Sequence, residues 1–282
     1  MSNTVYSFSR LKLFNECPHA YFLTYIMKSE RMPNIYSEIG TTIHDLLEKI
    51  QEGEEISTEQ RLKEFEDKVE ECEMFGIEFV NNNIKERYVA NIEHCLRNFK
   101  QLQGESFEIE KEIELNIGEY KLTGFVDCII HHNDGTVSVI DFKTSSKYSK
   151  KDLDKNANQL IIYGIGLEQL GYKIRDIKWY MLKYATVKSK RGNKIIERRE
   201  LEDEQEYEEC FIDYPYNDIT KMECINWIEE TIEKIESMNI NDKWENKEIN
   251  KGTSFYCQNI CSVCRKCEAL KQFKKDFKNF NR

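Results

Sequence analysis

Two β-branched runs joined by a turn, each with an acidic side chain set into it, constrain this chain more than any other stretch. Leu122 to Thr144 reads Leu-Thr-Gly-Phe-Val-Asp-Cys-Ile-Ile-His-His-Asn-Asp-Gly-Thr-Val-Ser-Val-Ile-Asp-Phe-Lys-Thr. Val126, Cys128 and Ile130 alternate with Phe125, Asp127 and Ile129. Asn133-Asp134-Gly135 then supplies turn chemistry, and Thr136 to Ile140 is a second run. Asp127 falls inside the first predicted strand, and Asp141 ends the second. The strand period of two puts Lys143 on the same face as Asp141.

Two carboxylates and an ammonium beside one hairpin cost several kcal/mol to bury unless something compensates, and a divalent cation is the usual partner. Oxygen ligands favour Mg²⁺ or Mn²⁺, held by one or two carboxylates with the remaining positions left to water and substrate phosphate. Lys143 would then orient or deprotonate an attacking water, or stabilise charge in the transition state. An isolated Asp-x-Lys is more often a surface ion pair, so the rest of the chain has to carry the choice.

At 282 residues, with 12% aromatic and 40% hydrophobic residues, the chain is expected to build one large domain with a substantial core. A charged fraction of 33% with only 3 Pro predicts long helices with solvated faces. No apolar run approaches membrane-spanning length. The start, Met1-Ser2-Asn3-Thr4-Val5-Tyr6, lacks the basic-then-apolar layout of a secretory signal, so a cytoplasmic protein is expected. A net charge of -10 argues against a surface generally attractive to nucleic acid and leaves room only for a local groove. Acidic residues crowd into Glu52 to Glu78 and Glu197 to Asp213. Basic ones follow the hairpin at Lys143, Lys147, Lys150, Lys151 and Lys155 and recur at Lys183 to Lys194 and Lys271 to Lys278.

Ser7 caps a predicted helix in which Leu11, Phe14, Cys17, Tyr21, Phe22 and Tyr25 recur at helical spacing, bent at Cys17-Pro18 and closed by Pro33. A second helix is expected to begin through Gly40, with His44 one turn from Glu48. A lone helical histidine is ordinarily a packing residue. Glu54 to Lys100 reads as helices, expected as an insertion over about 50–103. Phe107 to Leu115 alternates as a strand, and Asn116-Ile117-Gly118 turns the chain into the central hairpin. Leu153 to Leu170 is a predicted helix, with Gln159 and Tyr163 at i and i+4 facing the same way. Ile174 to Leu182 is a predicted strand partnered by Lys194 to Arg198 across the loop at Ser189 to Asn193, and Ile219 to Ile240 returns to helix. Strands flanked by long helices predict an α/β or α+β sheet sandwich.

Five of the 10 cysteines, Cys72, Cys95, Cys128, Cys210 and Cys224, are scattered among apolar segments and read as core thiols. Cys257, Cys261, Cys264 and Cys267 are packed into one Cys-rich segment over 251–282. Short spacings of this kind let several thiolates bind one metal from one loop, and thiolates suit zinc or an iron-sulfur cluster. The four could close a zinc site unaided, or three could join Cys17 around a cluster.

Gly40-x3-His44, Gly124-Phe125-Val126-Asp127, Asp141-Phe142-Lys143-Thr144 and Gln159-x3-Tyr163, in this order and spacing, resemble the RecB-like branch of the PD-(D/E)XK nuclease superfamily. The resemblance runs from Ser9 to about Cys267. It takes in the Cys17-Pro18 helix and the terminal cysteines of the iron-sulfur subgroup, which includes AddB-type helicase-nucleases and the RecB-like nucleases of CRISPR adaptation. It implies a single nuclease domain over 1–282 with a restriction-endonuclease-like core, a mixed central sheet flanked by helices. It further implies that His44, Asp127 and Asp141 hold Mg²⁺ or Mn²⁺, that Lys143 serves the attacking water, and that Gln159 and Tyr163 position site and strand. In the iron-sulfur subgroup a 4Fe-4S cluster joins an N-terminal cysteine to three C-terminal ones. Cys17 thereby becomes a ligand candidate. Asp141 stands where many relatives have Glu. The terminal run is C-x3-C-x2-C-x2-C where those relatives show C-x2-C-x5-C, so the three partners of Cys17 stay open, with a zinc site of the four as the competing assignment.

The expectation is a metal-dependent DNA nuclease of exonuclease, single-strand or end-processing type, serving recombination, repair or phage DNA metabolism. Its partners would be single-stranded DNA or duplex ends and a helicase or recombination protein, without a membrane. No G-x-x-x-x-G-K-[ST] loop is present, so unwinding would come from a partner. The alternative is a non-cleaving DNA-binding or assembly protein that keeps the fold as a scaffold.

Overall fold

The computed structural model describes residues 4–146, 148, 150–183, 188–189, 196–197, 210–250 and 252–280. The chain opens with β1 (Val5–Tyr6), α1 (Phe8–Glu16), α2 (Pro18–Tyr21) and a π-helical turn at Phe22–Ile26, followed by α3 (Ile35–Gln51), α4 (Thr58–Met74) and α5 (Asn82–Asn98). The sheet strands β2 (Ser106–Ile117), β3 (Tyr120–His131) and β4 (Val137–Ser146) lead into α6 (Lys150–Gln169) and β5 (Ile174–Lys183). Then come β6 (Lys188–Ser189), β7 (Ile196–Glu197), β8 (Phe211–Tyr214), α7 (Asp218–Ser237), α8 (Ser254–Asn259) and α9 (Glu268–Phe280).

Six strands form one mixed sheet in the order β1-β3-β4-β5-β8, with β2 antiparallel along the other edge of β3. β4 runs parallel to β5 and antiparallel to β3. Helices cover both faces, because the strand residues on both sides are apolar and neither side tolerates water. On one face Leu11 and Phe14 of α1, Leu160 and Ile161 of α6 and Cys224, Ile228 and Ile232 of α7 pack on Val139, Ile177 and Trp179. On the other, Ile39, Ile43 and Leu46 of α3, Phe65 of α4 and Ile92 and Leu96 of α5 pack on Ile130, Ile140 and Phe142. Each such side chain stabilises by about 1.5–3 kcal/mol relative to exposure. α4 and α5 are thus one cover of the sheet. The five scattered cysteines are buried, as expected.

Several boundaries differ from the sequence expectation. α3 starts five residues before Gly40, because Asn34 caps it by accepting from Ser37 N at 3.0 Å. α1 stops at Glu16, and Cys17 has extended backbone (φ -160, ψ 91), since the residue before proline is driven out of the helical region. β4 does not end at Asp141. Pairing of Asp141 with Trp179 and Lys143 with Met181 on β5 carries it to Ser146. The partner of β5 is β8, whereas Ile196–Glu197 pairs with Lys188–Ser189. The rest of the expected strand at Lys194 to Arg198, and most of the Ser189 to Asn193 loop, lies outside the described residues.

The expected alternation along β3 also breaks. Val126 belongs to one core and Cys128 to the other, although a strict period of two would put them together. The same exchange occurs on β2 between Ile109 and Ile113. Between them Glu110 has φ +47, a left-handed conformation that costs a non-glycine residue about 1–2 kcal/mol. Its register position is opposite Asp127, so both strands swap faces where the first acidic residue of the hairpin stands.

Candidate active site

The site lies where β3 and β4 part. The last ladder pair is Cys128 with Ile140, and the next residues in register are Asp127 and Asp141. Beyond that point β4 follows β5, and Asp127 Oδ2 fills the gap by accepting from Phe142 N at 2.7 Å. Both carboxylates are buried, Asp127 at 8% exposure and Asp141 at 0%. Asp141 Oδ1 is buried with no hydrogen-bond partner. Burial, reinforced by the neighbouring Asp141 charge, holds Asp127 well above the ordinary carboxylate range.

Val139 faces one core and Ile140 and Phe142 the other, so Asp141 and Lys143 point to the α6 side. Lys143 Nζ lies 2.6 Å from Asp141 Oδ2. Burial alone would lower the Lys143 pKa, but the Asp141 and Asp127 charges outweigh it and raise it, so the ammonium is the resting form. Lys143 Nζ also donates to Gln159 Oε1 at 3.1 Å, and Gln159 Nε2 donates to Tyr163 OH at 2.9 Å. The helical i, i+4 pair on α6 therefore extends the ion pair as one chain of contacts. Gly124 makes room for it, because a Cβ there would sit 2.9 Å from Tyr163 Cε1.

His44, from α3, brings Nδ1 to 3.6 Å from Asp127 Oδ2. Burial lowers its pKa, which favours the neutral imidazole that a metal requires. The structure thus links all six expected residues, His44, Asp127, Asp141, Lys143, Gln159 and Tyr163, from four elements. Glu48 and Glu110 were missed. Glu48 is hydrogen-bonded to Glu110, and burial followed by the Glu110 charge pushes its pKa up to about 8. Strand alternation hid Glu110, since a glutamate in an alternating strand reads as solvent-facing. The spacing of Glu48 one turn after His44 was the available signal.

Among the described residues no three or more His, Cys, Asp or Glu side chains stand together as a ready metal cage. The donor set nevertheless fits a hard divalent cation. Two buried carboxylates, one with an unpartnered oxygen, and a neutral imidazole stand together, with the Lys143 ammonium paired to Asp141.

All ten cysteines are free thiols. Cys17, Cys257, Cys261 and Cys267 line one narrow cavity, together with Asn246 and Lys247, and Cys264 lines the neighbouring cleft instead. The 245–247 segment straps the two ends of the chain together. Lys247 N donates to Cys17 Sγ at 3.3 Å, Cys267 Sγ donates to Asn246 Oδ1 at 3.4 Å, and His19 N donates to Glu245 O at 3.0 Å. Burial, then the charges of the neighbouring thiols, raises the pKa of Cys257 and Cys267.

A family model for the PD-(D/E)XK nuclease superfamily matches residues 5–270. One of the subunits of the ATP-dependent helicase/deoxyribonuclease of Clostridium tetani is 27% identical over 209 residues, covering 59% of this chain and 17% of that protein. The protein of the same name from Streptococcus agalactiae is 27% identical over 173 residues, covering 56% of this chain and 16% of that one. This chain spans about a sixth of the length of these relatives. A solved structure from Eubacterium rectale, assigned as an exonuclease, is 14% identical over 93% of this chain and 87% of its own, with a TM-score of 0.47.

Proposed function

Because the chain belongs to the PD-(D/E)XK nuclease superfamily, we propose that it is a metal-dependent deoxyribonuclease that hydrolyses phosphodiester bonds of single-stranded DNA or duplex ends. The observation that carries this reading is the buried pair Asp127 and Asp141, in register across the parting strands, with Asp141 Oδ1 unpartnered and Lys143 against Oδ2. A scaffold has no physical need for a charge arrangement this costly.

His44, Asp127 and Asp141 would hold Mg²⁺ or Mn²⁺. When bound, such a cation polarises the phosphate and lowers the pKa of a water ligand. Lys143, fixed by Asp141 and Gln159, presents its ammonium where negative charge builds on the phosphate oxygens. Gln159 holds Lys143, and Tyr163 holds Gln159. Lys143, held against Asp141, would orient the attacking water or stabilise charge on the phosphate. The relatives named as helicase/deoxyribonuclease subunits support DNA as substrate and a helicase as partner; recombination or repair is the setting we propose for that activity. We place the protein in the cytoplasm; among the described residues no helix is long and apolar enough to cross a membrane.

The thiols of Cys17, Cys257, Cys261 and Cys267 would hold a 4Fe-4S cluster, with zinc as the alternative. Their shared cavity supports this set, whose C-terminal members run C-x3-C-x5-C. The cluster would fasten the first helices to the C-terminal segment across the nuclease core.

Digestion of single-stranded and linear duplex DNA with Mg²⁺ or Mn²⁺ tests the nuclease reading. Wild-type protein degrades the DNA, whereas Asp141→Ala and Lys143→Ala do not. Equal activity in all three sinks it.

A further inference from the structure

The catalytic lysine is not the only ammonium beside the carboxylates. Lys12, on α1, reaches across to α6 and donates from Nζ to Asn156 Oδ1 at 2.7 Å. Asn156 is three residues before Gln159 on the same helix, so the two amides lie on one face a turn apart. Gln159 in turn accepts from Lys143. Two ammonium groups from different elements are therefore tied to adjacent positions of one helix stripe, with Asn156, Gln159 and Tyr163 along it.

Lys143 is matched by Asp141 at 2.6 Å, whereas among the described residues the only carboxylate within ion-pair distance of Lys12 is Glu16, at 4.0 Å. An ammonium has three donors, and Asn156 takes one. Lys12 is two-thirds buried along its side chain and sits over the Phe8 ring, 5.6 Å from its centroid, so its head group is steered rather than loose in water. Burial lowers its pKa, Glu16 opposes this, and smaller opposing effects come from the Lys143 ammonium and the Asp141 carboxylate. Asp141 already answers Lys143, whereas Lys12, with one neutral amide and a carboxylate 4.0 Å away, keeps donor capacity for a further anion.

We propose that Lys12 and Asn156 form a binding subsite for the phosphate next to the scissile one on the same DNA strand. The scissile phosphate would lie against Lys143 and the carboxylates, and its neighbour would lie one helix turn along α6, against the ammonium of Lys12 and the side-chain amide of Asn156. The proposal rests on the nuclease reading above for the position of the scissile phosphate. It assigns α1 a second task besides presenting Cys17. It also explains how a protein with a net charge of -10 attracts a polyanion: by a local pair of lysines and not by its overall field.

The test combines binding and cleavage. Affinity for a labelled single-stranded oligonucleotide is measured in Ca²⁺ over a range of salt. Lys12→Gln is expected to weaken binding about tenfold at low salt and to reduce the slope of log K against log salt by about 0.7, the share of one single-strand phosphate. Lys12→Arg keeps the charge and restores both, and Lys234→Gln, an exposed lysine on α7, changes neither. In Mn²⁺, a neutral methylphosphonate is placed in turn at each linkage flanking the cut. At one position it lowers the wild-type kcat/KM and leaves Lys12→Gln unaffected. An unchanged affinity and slope in Lys12→Gln, or methylphosphonate effects equal in both proteins at every position, overturns the subsite. A wild-type protein with a Lys12-dependent salt slope that cuts no strand with any divalent cation overturns the nuclease reading, and with it the place of this phosphate beside a scissile one, and leaves Lys12 and Asn156 as a phosphate contact only. A protein that binds no DNA overturns both.

Discussion

Lys143 and Asp141 stand two residues apart on β4, their side chains on one face, with Nζ 2.6 Å from an Oδ2 that belongs to a fully buried carboxylate. The pair is a half-neutralised site. Asp141 is answered by Lys143 directly, whereas Asp127, in register across the gap, has a neutral imidazole and one backbone N–H as its near partners among the described residues.

That imbalance predicts opposite effects of one substitution with and without metal. Asp127→Asn keeps an oxygen to accept from Phe142 N and removes a buried carboxyl whose ionisation is opposed by burial and by Asp141. In EDTA the variant is expected to melt a few degrees above wild type, at roughly 2–4 °C per kcal/mol for a chain of this size class. Wild type gains melting temperature on addition of Mn²⁺, because a ligand that binds only the folded state stabilises it. Asp127→Asn gains little. Calorimetry checks both signs, and an equal Mn²⁺ gain in the two proteins removes Asp127 from the cation site.

The positions of this pair were legible in the sequence because they depend on local rules. Strand period two fixes Asp141 and Lys143, and helical period fixes Gln159 and Tyr163. The turn at Asn133 to Gly135 was equally readable, and Gly135 takes φ +77 there. What could not be read were relations set by tertiary pairing. The extension of β4 beyond Asp141 depends on β5, which lies beyond α6. The face exchange at Glu110 depends on one backbone conformation that no residue type at that position announces. Nor does spacing in the terminal run say which thiols share a cavity, since that is decided by the 245–247 strap reaching Cys17 and Cys267.

A pH dependence of stability follows from Glu48. Its folded pKa stands at about 8 against an ordinary 4.5, raised first by burial and then by Glu110. Between these values the folded chain holds a proton that the unfolded chain has released. Stability from this group is therefore complete below about pH 4.5 and is lost as pH rises to about 8. Asp127 contributes in the same direction, while His44, with its lowered pKa, opposes it near neutrality. Glu48→Gln removes only the first contribution. In metal-free buffer the variant is expected to melt increasingly above wild type as pH is raised through this window. A constant difference between the two melting curves across the window contradicts the assignment.

Gly124 offers a way to disturb the site without touching a polar group. A methyl there meets the Tyr163 ring at 2.9 Å, closer than van der Waals contact, and the ring is buried at 6% exposure with little room to yield. Gly124→Ala should cost about 1–3 kcal/mol, the usual range for overpacking. By displacing Tyr163 from Gln159 it should also loosen the hold on Lys143 and lower kcat more than it raises KM. Tyr163→Phe keeps the ring and removes only the hydroxyl. If Gly124→Ala leaves kcat at the wild-type level, the contacts from Tyr163 to Lys143 are packing without catalytic consequence.

The cysteine cavity makes the sharpest distinction among side chains that look alike in sequence. Cys17, Cys257, Cys261 and Cys267 line it; Cys261 also borders the neighbouring cleft, and Cys264, three residues from both Cys261 and Cys267, lines that cleft with Asn34, Tyr36 and Arg265 and not the cavity. If the four bind a cluster or a zinc ion, Cys17→Ser, Cys257→Ser, Cys261→Ser and Cys267→Ser each lower bound metal, and Cys264→Ser leaves it at the wild-type level. Anaerobically purified protein should be brown and carry iron and sulfide if the group is iron-sulfur, and colourless with one zinc if it is not. Loss of the metal should also lower the melting temperature, because the ligands come from α1's end and the C-terminal segment and so close nearly the whole chain into one loop. Metal loss in Cys264→Ser together with retention in Cys17→Ser would point to the four terminal thiols alone and reverse the assignment.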